Sequence, residues 1–84
     1  MEAPLTVGEM FGARLRELRR KRKLTQVQVA ERSGLAQNHI SELENGERMP
    51  SLVTMLKLAA AIDCKPTELL APFNGTDLAE LLDQ

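Results

Sequence analysis

Residues 33–46 read SGLAQNHISELENG. Ile40 and Leu43 supply one apolar stripe, while Gln37, Asn38, Ser41, Glu42 and Asn45 gather on the other side of the same helical turn. A solvent-facing helix normally carries Lys, Arg and Glu. Amides and hydroxyls at this density form a surface of directional donors and acceptors, suited to reading the hydrogen-bonding groups of another molecule. Catalytic chemistry finds no support in the chain. It has no nucleophile–base pair, no paired carboxylates and no phosphate-cradling glycine loop, so no enzyme is expected. One cysteine (Cys64) and one histidine (His39) are too few for a structural zinc site, and neither metal nor cofactor is expected.

Eighty-four residues are enough for one small domain. A chain of that length buries only about 60% of its unfolded surface, so its margin of stability is thin. The lone Cys64 cannot form an internal disulfide, which points to a reducing compartment. The start MEAPLTVGEM has no basic lead and no signal-like apolar stretch. No uncharged run approaches the length of a membrane span. The expectation is a cytoplasmic protein without membrane contact.

The net charge of −1 conceals an asymmetry. Residues 14–32 hold eight Lys and Arg against Glu17 and Glu31, whereas residues 66–84 hold Glu68, Asp77, Glu80 and Asp83 and no base. That distribution predicts one basic face suited to a polyanion and one acidic end turned away from it.

The elements that must position the polar cluster follow from caps and periods. Thr6 with Glu9, and Thr25 with Gln28, are capping boxes. They predict a first helix over 7–21, with Phe11, Leu15 and Leu18 inward, and a second over 26–33, with Val29 and Ala30 inward. Gly34 suits the positive φ of a tight turn. A third helix is expected over 37–45, ending at Gly46. Ser51 caps a fourth, in which Leu52, Met55, Leu56, Leu58, Ala59 and Ile62 are expected to be mostly buried. Pro66 opens a fifth over 66–70. Beyond Pro72, a turn at Asn74-Gly75 and a cap at Thr76 would start a short helix with Leu78, Leu81 and Leu82. A segment this short is unstable alone and must dock. The division expected is a domain over 1–72 and a tail over 73–84, and no strand is foreseen.

Helix, short turn, helix is the module that sets its second helix in a DNA major groove. Counting from Gln26, a small residue falls fifth (Ala30), glycine ninth (Gly34) and apolar residues fourth, tenth, fifteenth and eighteenth (Val29, Leu35, Ile40, Leu43). A generic helix pair would explain the apolar places but not the amide cluster facing away from them.

The landmarks LTQ, AERSGL, ISELENGER, PSL and LKLAAAI, spread over residues 11–70, resemble the helix-turn-helix domains of phage repressors and Cro proteins, the xenobiotic-response-element-like regulators that include restriction–modification controller proteins. The resemblance implies an all-α, five-helix lambda-repressor-like domain, here with a short additional C-terminal helix, working as a homodimer on a near-palindromic operator. By matching position it implies base reading by Gln37, Asn38 and Glu42, with Ser41 and His39 beside them. The chemistry agrees: amides pair bidentately with adenine, and a carboxylate accepts from cytosine N4. It further implies phosphate contacts by Gln26, Asn45 and Arg48 and by the N–H groups at Ser51, with Arg14, Lys21 and Lys23 as an electrostatic fringe. Arg19 and Glu44 match an ion pair joining the first helix to the third. Ala36 departs from the family, whose usual serine would cap the third helix.

The function expected is a sequence-specific, DNA-binding transcriptional regulator, with double-stranded DNA and a second copy of the chain as partners. The leucines of the tail would support the dimer or dock on the fifth helix. The alternative is a protein-interaction module, such as an antitoxin-type protein, that binds a protein partner through the acidic tail.

Overall fold

Two threonine–acid or threonine–amide clasps start the first two helices of the computed structural model, which describes residues 5–83. Thr6 Oγ1 accepts from the Glu9 N–H at 3.1 Å while Glu9 Oε1 accepts from the Thr6 N–H at 2.9 Å, opening α1 (Val7–Lys21). Thr25 and Gln28 repeat the reciprocal pair at 3.1 and 2.8 Å, opening α2 (Gln26–Ser33). Each clasp satisfies two backbone donors that a helix start leaves free. Gly34, at φ 77°, ends α2 in the left-handed region. Four further helices follow: α3 (Gln37–Glu44), α4 (Leu52–Ile62), α5 (Pro66–Leu70) and α6 (Leu78–Leu82), with a 3-10 turn at Ala71–Phe73. Among the described residues there is no strand, and the domain is the five-helix repressor type with an added terminal helix.

The core lies where α1 meets α3 and α5 and where α2 meets α3 and α4. Phe11 and Leu15 of α1, Val29 of α2, Ile40 and Leu43 of α3, Leu58 and Ile62 of α4 and Leu69 of α5 are almost wholly buried in it. Each such side chain contributes about 1.5–3 kcal/mol on leaving water. The stripe expected on α3 is therefore the one that anchors it.

One approach is closer than the apolar pattern suggests. Gly12 lies against the end of α3. A Cβ at that position would come within 2.3 Å of the Leu43 carbonyl oxygen and 2.6 Å of that of Glu44. Gly8, one turn earlier, faces Gly46 in the same way, with 2.9 Å to its carbonyl oxygen. The α1–α3 contact thus runs backbone on backbone, and side chains enter it only further along α1.

Three local expectations are corrected. Leu52 and Leu56 of α4 are 70% and 48% exposed. The inward face of α4 runs through Met55, Leu58, Ala59 and Ile62. Leu56 lies past its edge, and no neighbouring helix covers Leu52 in the first turn. The cap of α6 is Asp77, whose carboxylate accepts from the Glu80 N–H at 3.2 Å, while the Thr76 hydroxyl donates back to the Pro72 carbonyl at 3.0 Å. In the tail Leu81 is buried, whereas Leu78 and Leu82 are exposed, and Phe73 packs against the core.

Two substitutions test this packing. Gly12→Ala drives a methyl into two backbone carbonyls and is expected to cost about 1–3 kcal/mol or more in denaturant unfolding. Ala36→Ser is expected to stabilise the domain by about 1 kcal/mol, because the N-cap of α3 makes no side-chain bond; an unchanged midpoint would show that the free N–H groups of α3 gain nothing from a hydroxyl.

Candidate nucleic-acid interface

The turn between α2 and α3 sets which edge of α3 faces outward. Gly34 reverses the chain, Leu35 packs against the core and Ala36 is extended, so α3 starts at Gln37 with its inner face already docked. Ile40 and Leu43 are fully buried, and Gln37 and Asn38 are consequently exposed. His39, Ser41 and Glu42 are half-buried along the flank of that edge, and Asn45 is exposed at its end. The five residues expected to read bases share one outward rim.

Glu44 organises the other end of α3. Its carboxylate is buried, and three side chains donate to it. Arg19 does so with two groups, Nε to Oε2 at 2.6 Å and Nη2 to Oε1 at 2.9 Å, while its Nη1 donates to the Leu24 carbonyl at 2.8 Å. Arg16 Nε reaches Oε1 at 3.2 Å and Gln26 Nε2 reaches it at 3.1 Å. Burial alone would raise the pKa of Glu44. The bonds from Arg19 and Gln26, the charge of Arg19 and the bond from Arg16 outweigh it and hold the carboxyl below the ordinary glutamate value. A carboxylate is also unfavourable at a helix C-terminus, and α3 has no basic residue in its last turn; α1 supplies the missing charge.

The residues expected at phosphates divide into groups. Gln26 and Asn45 come together around Glu44, linked by Arg16, whose Nη2 donates to Asn45 Oδ1 at 3.0 Å. Arg48 is held by Glu42, with Nε donating to Oε2 at 2.5 Å, so a candidate phosphate contact and a candidate base reader are paired with each other. The Ser51 hydroxyl caps α4, accepting from the Thr54 N–H at 3.1 Å. Lys23 is exposed in the turn between α1 and α2, at φ 58°. Arg14 belongs elsewhere. Its Nε donates to the Glu68 carbonyl at 2.7 Å and its Nη1 to Glu17 at 2.6 Å, which ties α1 to α5 on the face away from α3.

The cations foreseen as a basic face also make bonds within the fold. Arg22 donates to the Asp63 carbonyl at 2.8 Å and Arg32 to that of Ala61 at 3.4 Å. With Arg14, Arg16 and Arg19, five of the eight cations of residues 14–32 bond to other parts of the fold; Arg22 and Arg32 are nonetheless exposed, as are Arg20, Lys21 and Lys23. Sequence reasoning missed Arg16, which it left inside the basic run. The signal was its place four residues after Gly12 and three before Arg19, on the side of α1 that meets α3.

Cys64 is half-buried beside the core, and burial followed by the charge of Glu68 pushes its thiol up, away from the reactive thiolate. Among the described residues no group of His, Cys, Asp and Glu is arranged to hold a metal, and no helix is long and apolar enough to cross a membrane.

A helix docked by its apolar stripe behind a three-residue turn, with an uncharged polar edge outward, defines a helix-turn-helix domain. Residues 15–69 match HTH_3, described as helix-turn-helix, and the chain belongs to this family of DNA-binding transcriptional regulators. It is 38% identical over 72 residues to the uncharacterized HTH-type transcriptional regulator y4dJ of Sinorhizobium fredii, covering 86% of this chain and 94% of that one. The restriction–modification controller protein C.AhdI of Aeromonas hydrophila superposes with TM-score 0.72 at 47% identity, over 74% of this chain and 94% of that one. The DNA-binding domain of the P22 c2 repressor superposes with TM-score 0.71 at 30% identity, over 94% and 99% of the two chains. Two further curated relatives, the regulator RghRB of Bacillus subtilis and the immunity repressor of Bacillus phage phi105, are longer, and this chain spans less than half of their length.

The Glu44 cluster predicts an acid limb of known sign. A carboxyl whose pKa is lowered by folding stabilises the native state fully above its unfolded value, about 4.3, and the contribution is lost as pH falls through the lower folded value. Glu44→Gln leaves the Arg19 charge unpaired. It is expected to cost about 3–5 kcal/mol at neutral pH and to flatten the fall of stability in acid. An acid limb as steep as that of the parent chain would remove Glu44 from its cause.

Proposed function

We propose that this chain is a sequence-specific transcriptional regulator that acts as a homodimer on a near-palindromic operator, with α3 in the major groove. The observation that carries the reading is the split of α3: Ile40 and Leu43 are fully buried while Gln37 and Asn38 are exposed and uncovered by the described residues of the tail. Gln37 and Asn38 read adenine through their amides, and Glu42 accepts from cytosine with Ser41 and His39 alongside. Gln26, Asn45, Arg48, Lys23 and the start of α4 at Ser51 hold the backbone and set the register. The likeness to C.AhdI and to the P22 c2 domain supports a controller-type or repressor-type regulator.

Dimerisation is supported by the apolar surface at the far end. Leu70, Leu78 and Leu82 are exposed around an open cleft of about 380 Å³ that Val7, Phe73 and Leu81 also line. A second copy seated there would cover these leucines and set two copies of α3 about 34 Å apart, one turn of DNA. The same leucines are what a protein partner would use in the alternative reading, and salt separates the two. Phosphate contacts release counterions and weaken steeply with salt, whereas an apolar contact does not.

The test is selection of bound duplexes from a random pool. A two-fold symmetric enriched site is expected, and no enrichment would overturn the reading. On that site Gln37→Ala is expected to cost about 1–3 kcal/mol and to relax preference at one base pair per half-site. An equal loss on random duplex would remove Gln37 from the base-reading set.

A further inference from the structure

We propose that Arg16, a residue outside the expected interface, is a backbone-phosphate contact and at the same time the positioning residue that turns Asn45 into one. The inference rests on the reading of this chain as a DNA-binding regulator and adds a residue and a mechanism to it.

The geometry is a bridge. From α1 the Arg16 guanidinium donates through Nε to Glu44 Oε1 at 3.2 Å and through Nη2 to Asn45 Oδ1 at 3.0 Å. A guanidinium has five N–H groups in a fixed plane, so three remain after these two bonds. The Arg16 side chain is 37% exposed, against 11% for Arg19, and its bond to Asn45 lies at the surface at the end of α3. Charge points the same way. Two arginines surround one carboxylate, which leaves one positive charge over. Arg19 is buried and doubly bonded to Glu44, and the excess therefore sits on Arg16.

The amides on this rim are filtered by their partners. An asparagine presents either an acceptor or a donor, and an acceptor facing a phosphate is repelled. Arg16 engages Asn45 Oδ1, which fixes the amide and leaves its Nδ2 N–H groups unspent. Gln26 spends one N–H on Glu44 and keeps the second. Around the buried carboxylate every remaining side-chain valence of Arg16, and of Asn45 at its amide nitrogen, is a donor. A donor-rich, singly positive rim at the end of the helix fits a phosphodiester oxygen of the strand beside the groove.

Folding does not need Arg16 for this. Arg19 holds both oxygens of Glu44, so removing Arg16 strands no charge. The test compares Arg16→Met and Arg16→Lys with the parent chain on the selected duplex and on a random duplex, over a series of salt concentrations, with thermal midpoints measured alongside. Arg16→Met is expected to weaken both duplexes by the same factor, about fivefold to tenfold, and to reduce the slope of log K against log salt by about 0.9, one phosphate contact. Arg16→Lys keeps the charge and the slope but cannot bridge Glu44 and Asn45, so it recovers only part of the affinity. Asn45→Ala is expected to cost less in the Arg16→Met background than in the parent chain, because its amide is no longer oriented there.

An unchanged slope and affinity in Arg16→Met overturns the proposal. So does a loss confined to the selected duplex, which would make Arg16 a base reader. A midpoint lowered as far as that of Glu44→Gln also overturns it, since the role would then be structural. A parent chain that binds no duplex in a salt-dependent way fails the underlying reading, and this one with it.

Discussion

The buried carboxylate of Glu44 is the constraint on which the rest of the structure depends. It lies at the C-terminal end of α3, where the helix dipole opposes it and burial penalises its charge. It is tolerated because Arg19 meets both its oxygens from α1 and because Gly12 lets the two backbones come close enough for that reach. The pair joins α1 to α3 at one defined height and rotation. A pair of this kind contributes little over two apolar residues of the same size, but losing either member leaves a bare charge inside a small domain. Its use lies in geometry. Sliding or turning α3 on α1 would break four directional bonds between α1 and the end of α3, whereas Ile40 and Leu43 would accept a range of positions.

That geometry reaches the surface through short steps. Besides Arg19, Arg16 and Gln26 donate to Glu44, and Arg16 in turn fixes Asn45. Three of the side chains proposed for the DNA backbone, Arg16, Gln26 and Asn45, are thus held directly or through one bond by the carboxylate that anchors α3, the helix of the proposed base readers. Ordering these side chains before a partner arrives reduces the conformational entropy lost on binding. Glu42 and Arg48 add a smaller instance of the same economy of charge. The acid on the reading edge, which phosphates would repel, is neutralised by a neighbouring cation at 2.5 Å.

The charge distribution changes meaning once folded. Eight cations in residues 14–32 read as a basic face, yet Arg14, Arg22 and Arg32 donate to backbone carbonyls of Glu68, Asp63 and Ala61 in or just after the later helices. Arginine suits this work because its planar donors reach a carbonyl while the stem packs. Arg20, Lys21, Arg22, Lys23 and Arg32 stay exposed beside the mostly amide and hydroxyl edge of α3, whose one acid, Glu42, is paired with Arg48.

The sequence by itself determined what is local. Helix starts at Thr6, Thr25 and Ser51, the turn at Gly34 and the inward stripe of Ile40 and Leu43 are written within four or five residues of where they act, and those are the distances over which caps, φ preferences and helical period operate. The family pattern carried the Arg19–Glu44 pair across 25 residues, which spacing alone could not have done. Tertiary structure alone decided the remainder: that Leu52 and Leu56 stay uncovered, that Arg14 serves α5, and that Arg16 joins the Glu44 cluster. Those outcomes depend on which helix lies against which face, and at what distance. A one-dimensional pattern ranks a leucine as apolar and an arginine as charged; the neighbour that satisfies either is found only when the helices are brought together in space.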